Sequence, residues 1–281
     1  MTRNKPFALG MGQMLVEGGK VEQNLKHARE MIGNAAKQDC KVVVLPECLD
    51  LGYTYPGARE LAEPIPGEYS EALCDAAREL QLYVVAGLTE RAGERIYNAA
   101  LLISPDGSIL RKHRKINVLA IAQEIYSTGD SLSVVETPLG MIGVNICADN
   151  FPESLALGHS LARMGARIVL SPSAWAVKPD HDNVVEPYSK TWKKSYTALA
   201  RLYDITVVGV SNVGRINEGV WEGRRCIGCS LAVGPGGNIL AQGPYGESAE
   251  TLIVIQVEII PSDITGTAIA ETLAQRGYEG P

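Results

Sequence analysis

KVVVLPECLDLGY, Lys41 to Tyr53, begins as an unbroken apolar run and places a glutamate where the run stops. Apolar residues in succession, without alternation, fit a strand buried on both faces, as in parallel sheets covered by helices. FALGMGQML, Phe7 to Leu15, reads as a strand before it. Between the two, Val21, Leu25, Ala28, Ile32 and Ala35 recur at steps of three and four, which predicts a helix from about Lys20 to Gln38 with one apolar stripe. The opening is β-α-β. Glu47 stands at the carboxyl end of its second strand, where open α/β sheets form ligand sites.

The alternation continues outward from there. A helix near 68–80 leads to the strand LYVVAGL, then to IYNAALLIS and SILRKH, joined by the turn PDG. MIGVNIC is a further strand, ending at Cys147. A helix over 152–164, the strand RIVLSP, a helix over 187–203, the strand ITVVGVSN, the hairpin GCSLAVGPGGNILAQ and the strand TLIVIQVE complete the order. Parallel units and hairpins in one chain predict an α/β fold with mixed sheets and helices outside. No repeat, low-complexity segment or linker divides it, so residues 1–281 read as a single domain.

Composition bounds the function. Of 281 residues, 46% are hydrophobic and 21% charged, which suits a globular protein with a sizeable core. No apolar run approaches the ~18 residues of a membrane span, and MTRNKPFALGMGQML lacks the apolar core and cleavage site of a signal peptide, so a cytoplasmic location is expected. The net charge is −6, and the one dense basic cluster, RKHRK at 111–115, is too short to track a nucleic-acid backbone. Six scattered cysteines in a reducing compartment predict free thiols. CIGC at 226–229 has no second pair or nearby histidine to complete a zinc site and reads as strand packing; no metal is expected.

Glu47 and Cys147 are polar or reactive residues at the ends of buried strands. A cysteine there can be a small hydrophobe. A buried, charged glutamate costs several kcal/mol unless it has a cation or a function. Lys115, at the end of the basic cluster, is the candidate cation, although spacing alone does not select it. A thiol redox protein would instead need a resolving cysteine, and Cys48 is a candidate.

Three stretches, VVLPECLDLGY, YNAALLISPDGSILRKHRKINV and GVNICADNFPESLALGHSLARMGARIVLSPSAW, resemble in this order the three signature regions of the nitrilase superfamily, the carbon–nitrogen hydrolases. The similarity spans roughly residues 6 to 258. It implies an α-β-β-α sandwich with two mixed β-sheets and outer helix layers, and it places the family's catalytic glutamate on Glu47, its lysine on Lys115 and its nucleophile on Cys147. A second glutamate found in many members falls on Glu124, with a solvated loop carboxylate as the alternative. Tyr53, Asn150 and Trp175 resemble pocket-lining positions, Trp175 being equally readable as core, and the Ala148 N–H would help to stabilise an oxyanion.

The activity implied is hydrolysis of a non-peptide C–N bond in a small amide or N-carbamoyl compound through a cysteine thioester, without cofactor or metal. A nitrile substrate is the alternative, and a non-catalytic scaffold relative is a further one, although such a relative would be expected to have lost one of the three residues. The resemblance also implies a homodimer or larger homo-oligomer, formed through the helices after Cys147, 152–164 and 187–203. Asn117 stands where many relatives carry histidine, and CADN has neither the arginine of several amidase and carbamoylase branches nor the Trp-Glu pair of strict nitrilases. The branch therefore stays open.

Overall fold

The computed structural model describes residues 5–262, 264 and 266–279. Phe7–Gln13, Val42–Val44 and Tyr83–Ala92 run parallel at the centre of a six-stranded sheet. Arg95–Ile103 and Ile109–Arg114 extend it as antiparallel hairpins on one side, and Thr251–Val257 pairs antiparallel with Phe7–Gln13 on the other. A second six-stranded sheet has Gly140–Val144, Ile168–Ser173 and Thr206–Ser211 parallel at its centre, with antiparallel neighbours at both edges. Both sheets are mixed.

The apolar run that opens the second strand is unbroken because both of its faces are covered. Strand side chains alternate, so Val42 and Val44 turn toward the other sheet and pack in one cluster with Ile168 and Leu170. Val43 and Leu45 turn the opposite way and pack with Ala28, Ile32 and Ala35 of the helix Val21–Lys37 and with Leu73 and Ala77 of the helix Glu68–Leu80. The helices Leu155–Arg163 and Ser189–Tyr203 cover the second sheet through Leu161, Trp192, Tyr196 and Leu199. The layers are α-β-β-α, as the resemblance implies.

The first helix differs from its predicted stripe in one respect. Asn24 is buried on it while Leu25 lies at the margin, because the Asn24 amide donates to the Glu17 and Asp50 carbonyls and accepts the Glu17 N–H. Four features escaped the sequence pattern: the short helix Ala58–Leu61, the edge strand Val134–Thr137, a small sheet of Ala176–Val177, Val213–Arg215 and Arg225–Ile227, and a terminal helix Ala268–Gln275. Each is short, so its periodicity carries little signal. Among the described residues no helix is long and apolar enough to cross a membrane.

Candidate active site

Glu47 leaves its strand but keeps the strand's neighbour. Past the last ladder residue, Gly87 N–H donates to the Pro46 carbonyl at 2.9 Å and Leu49 N–H donates to the Gly87 carbonyl at 2.8 Å. A Cβ at Gly87 would lie 2.5 Å from the Glu47 Cα, so only glycine permits this approach. The Glu47 N–H crosses to the other sheet and donates to the Ser173 carbonyl at 3.2 Å. Its carboxylate is thereby fixed between the two sheets, 1% exposed.

Lys115 arrives by strand parity. In Ile109–Arg114 and the residue after it, His113 and Lys115 face inward and are each 1% exposed, while Lys112 and Arg114 turn to the other face and pair with Glu90. Lys115 N–H donates to the Asn98 carbonyl across the hairpin at 2.8 Å. Its Nζ donates to Glu47 Oε1 at 2.6 Å and lies 5.1 Å from the centre of the Tyr53 ring. Burial alone would lower the Lys115 ammonium, but the facing charge of Glu47, reinforced by Tyr53 and Cys147, outweighs it and holds the group well above its ordinary range. Lys115 stays charged.

Asn98 is the second group on Glu47. Its Nδ2 donates to the same Oε1 at 2.5 Å, whereas Glu47 Oε2 is buried with no hydrogen-bond partner among the described residues.

Cys147 belongs to the second sheet. The chain turns at once after Gly140–Val144 into a 3-10 turn, Cys147–Asn150, with Cys147 at φ 42°, in the left-handed region that side chains other than glycine seldom adopt. The turn is held from within. Cys147 N–H donates to Ser171 Oγ at 3.1 Å, and Asp149 accepts the Ile146 N–H at 3.0 Å. Burial pushes the Cys147 thiol up to about 12; the charge of Glu47 adds to this, while Lys115 and the Ala174 backbone oppose it. The resting nucleophile is a thiol beside a carboxylate, not a thiolate.

The structure therefore brings Glu47, Lys115 and Cys147 together with the Tyr53 ring. Tyr53 OH is buried without a partner among the described residues, and Tyr53, Asn212 and Cys226 line a cavity of about 130 Å³ beside the cluster. Cys226 is close enough for the charge of Glu47 to add to the upward push of burial on its thiol. It is a pocket wall as well as strand packing. A wider groove, about 960 Å³, lies between the helix Glu68–Leu80 and the strand Ile109–Arg114, away from this cluster, and in it Arg78 pairs with Asp75 and Lys112 with Glu90.

Three expected site residues lie elsewhere. Glu124 is exposed, and it is its carbonyl, not its carboxylate, that takes part in a bond, from Arg59 at 3.0 Å. The buried members of that turn are Ala122 and Tyr126, which pack against the Tyr53 side of the core and leave the carboxylate outside. Asn150 does not offer its amide to the cavity: it exchanges two hydrogen bonds with Asn145, at 2.7 and 2.9 Å, and donates to Ser171 Oγ at 2.9 Å, bracing the turn. Trp175 is fully buried and stacks on Trp192 with ring centres 4.7 Å apart, which makes it core. Cys48, the candidate resolving thiol, is buried and directed at the Tyr126 hydroxyl, 3.7 Å away. Among the described residues no group of three His, Cys, Asp or Glu side chains is arranged to hold a metal ion.

Asn98 and Asp149 were missed. Asp149 is fully buried and accepts from Ile116 N–H at 3.2 Å, Asn117 N–H at 2.8 Å and Ile146 N–H at 3.0 Å, with His113 Nε2 at 2.9 Å. It binds the segment carrying Lys115 to the turn carrying Cys147. Both residues had a signal, a polar side chain inside an apolar motif, the same signal that singled out Glu47.

Comparison with known proteins shows which ones the chain resembles. An omega-amidase of Danio rerio is 37% identical over 207 residues, 69% of this chain and 73% of the relative. A nitrilase of Pyrococcus abyssi is 31% identical over 244 residues, 85% of this chain and 84% of the relative. A carbon–nitrogen hydrolase from Helicobacter pylori shares the fold, with a TM-score of 0.80 at 21% identity over 96% of this chain and 93% of that one. Residues 9–268 match the sequence pattern of the carbon–nitrogen hydrolases, and the chain belongs to that family.

Proposed function

We propose that this single-domain chain hydrolyses a small amide, with Cys147 as nucleophile, Glu47 as general base and acid, and Lys115 and the Ala148 N–H as the stabilisers of developing negative charge. The observation that carries the proposal is the division of labour on Glu47: Oε1 is occupied by Lys115 and Asn98, Oε2 has no hydrogen-bond partner among the described residues, and Glu47 is close enough to act on the buried Cys147 thiol.

In the first half-reaction Sγ bonds to the carbonyl carbon while its proton passes to Glu47. The carbonyl electrons move onto oxygen, which accepts from Lys115 Nζ and Ala148 N–H. Glu47 then gives the proton to the departing nitrogen, the C–N bond breaks, and a thioester remains. In the second half-reaction Glu47 takes a proton from water, hydroxide adds to the thioester carbon, the C–S bond breaks and the sulfur regains its proton. Every proton moves through Glu47, and no step requires Cys147 to be ionised at rest.

Tyr53 is the group proposed to touch substrate, through its unpartnered hydroxyl at the cavity wall. The omega-amidase relatives favour an amide over an N-carbamoyl compound, and the Pyrococcus nitrilase keeps a nitrile as the second reading. The cytoplasmic setting and a homo-oligomer built on Leu155–Arg163 and Ser189–Tyr203 belong to the same proposal. Ammonia release from a panel of small amides, N-carbamoyl compounds and nitriles tests it, with mass spectrometry of Cys147 after brief exposure to substrate. Amide turnover with an acyl mass on Cys147 is expected. Turnover that survives Cys147→Ala would overturn it.

A further inference from the structure

We propose that Asn98 is a positioning residue for the base: by holding Oε1 of Glu47 together with Lys115, it reserves Oε2 for proton transfer at Cys147. This rests on the amide-hydrolysis reading above and adds a component to it. The geometry is specific. Asn98 is fully buried on the strand Arg95–Ile103, its Nδ2 stands 2.5 Å from Oε1, and Lys115 Nζ stands 2.6 Å from the same atom. The carboxylate is acceptor-only when ionised, so the amide must present its nitrogen to it. Both donors converge on one oxygen, which fixes the carboxyl group's rotation about its last bond.

Lys115 alone leaves that rotation undetermined. Its ammonium is a point donor on a flexible stem and can follow either oxygen. The Asn98 amide is planar on a short side chain, and its strand position is pinned: Asn98 lies opposite Thr89 in the antiparallel register, and the Thr89 N–H and hydroxyl are both taken by the buried Asp50 carboxylate, at 2.8 and 3.2 Å. The same residue's backbone carbonyl accepts the Lys115 N–H at 2.8 Å. One residue therefore places both charged partners, its backbone the lysine and its side chain the glutamate. Asn98 Oδ1 has no donor among the described residues, so the side chain gives up one hydrogen bond to aim the other at Glu47.

Changing the side chain leaves the bond to Lys115 untouched, which makes the test selective. Asn98→Ala should lower kcat by roughly 10- to 100-fold with KM changed less than about threefold, the loss expected when a reacting group is misaimed rather than removed. Asn98→Asp, nearly isosteric, puts a second carboxyl against Oε1; the pair must share a proton or repel, and kcat should fall at least as far while the melting temperature confirms folding.

The decisive readout is the double variant with Glu47→Gln, scored by the rate of acyl mass gain on Cys147. Because Asn98 acts through Glu47, Asn98→Ala should cost nothing further once Glu47 is gone. Full additivity of the two losses, or an Asn98→Ala enzyme with wild-type kcat, would overturn the positioning role. If wild-type protein hydrolyses no amide, or Cys147→Ala still does, the functional reading fails first. If both of those hold and only the double-variant result is additive, this inference alone falls.

Discussion

The two sheets meet at the site with different equipment. The first supplies the charge: Glu47, Lys115 and Asn98 follow or sit on its strands and are bonded to one another at 2.5 to 2.6 Å. The second supplies the nucleophile, and around it the supports, apart from the Asp149 carboxylate, are neutral: Ser171, the Asn145–Asn150 pair, and a backbone turn at φ 42°. The charged half is thus preassembled without the thiol, and the thiol is oriented without an ion pair. Reaction requires only that the halves stay in register, which Asp149 and the Glu47 N–H ensure by reaching across. The difference teaches that stability and chemistry are loaded unequally on the two sides, and that variants on each should fail in different ways.

Cys147→Ala tests the neutral side. Turnover should fall by about 10⁴-fold or more, as for other nucleophile deletions, with the melting temperature moved by little because one sulfur is exchanged for a hydrogen. A pH series sharpens this. With the thiol pushed up to about 12, alkylation of free enzyme at Cys147 should keep rising from pH 7 to 10, past the ordinary thiol range, with no plateau near 8.5. Since the folded thiol keeps its proton longer than the unfolded one, its contribution to stability is full below about pH 8.5 and is lost as pH climbs toward 12. A plateau near 8.5 would show an ordinary thiol on which burial and Glu47 have no net effect, and one below pH 7 would show a thiolate at rest and erase the contrast between the sides.

Lys115→Met tests the charged side and should fail doubly. Activity should drop about 10²- to 10³-fold through the lost oxyanion donor. Glu47, 1% exposed, would be left without its cation, so denaturant unfolding should show a loss of about 3–5 kcal/mol. An unchanged unfolding midpoint would mean that the ion pair carries no structural burden.

Asp149→Ala cuts the tie rather than either half. Three backbone N–H groups lose a buried acceptor, at about 1–3 kcal/mol each where they stay dry, and turnover should fall by roughly 10²-fold as the register loosens. Tyr53→Phe keeps the ring over Lys115 and removes only the hydroxyl, so KM should rise about 2- to 10-fold, the worth of one hydrogen bond, with stability unchanged. Glu124→Gln should alter neither turnover nor stability, which surface changes move by less than about 0.5 kcal/mol. A large effect there would place a further carboxylate on the charged side.

The layers, and Glu47 and Cys147 as polar or reactive residues ending buried strands, were legible because each leaves a strong trace in one dimension. Buried parallel strands read as unbroken apolar runs, and a polar residue ending such a run stands out. What stayed illegible depends on contacts across the gap. Nothing in the spacing of Asp149 shows that it accepts from residues 116, 117 and 146, and whether Trp175 stacks on Trp192 or lines a cavity depends on how the helix Ser189–Tyr203 docks. Lys115 was an intermediate case. Strand parity within RKHRK separates His113 and Lys115 from Lys112 and Arg114, but only once one member's direction is known. Glu124 failed as an expectation because the turn after Lys115 buries Ala122 and Tyr126 instead.

Gly87 gives the site a genetic signature. Every missense change that one base substitution can make in a glycine codon adds a Cβ, and here that atom would fall 2.5 Å from the Glu47 Cα, closer than any real contact of the kind. No graded series of substitutions exists at this position, from mild to severe: the smallest, alanine, already displaces the base. A residue with no side chain and no part in proton transfer is therefore as closed to inherited variation as the nucleophile, and a scan of all single-codon changes should find position 87 empty of active variants.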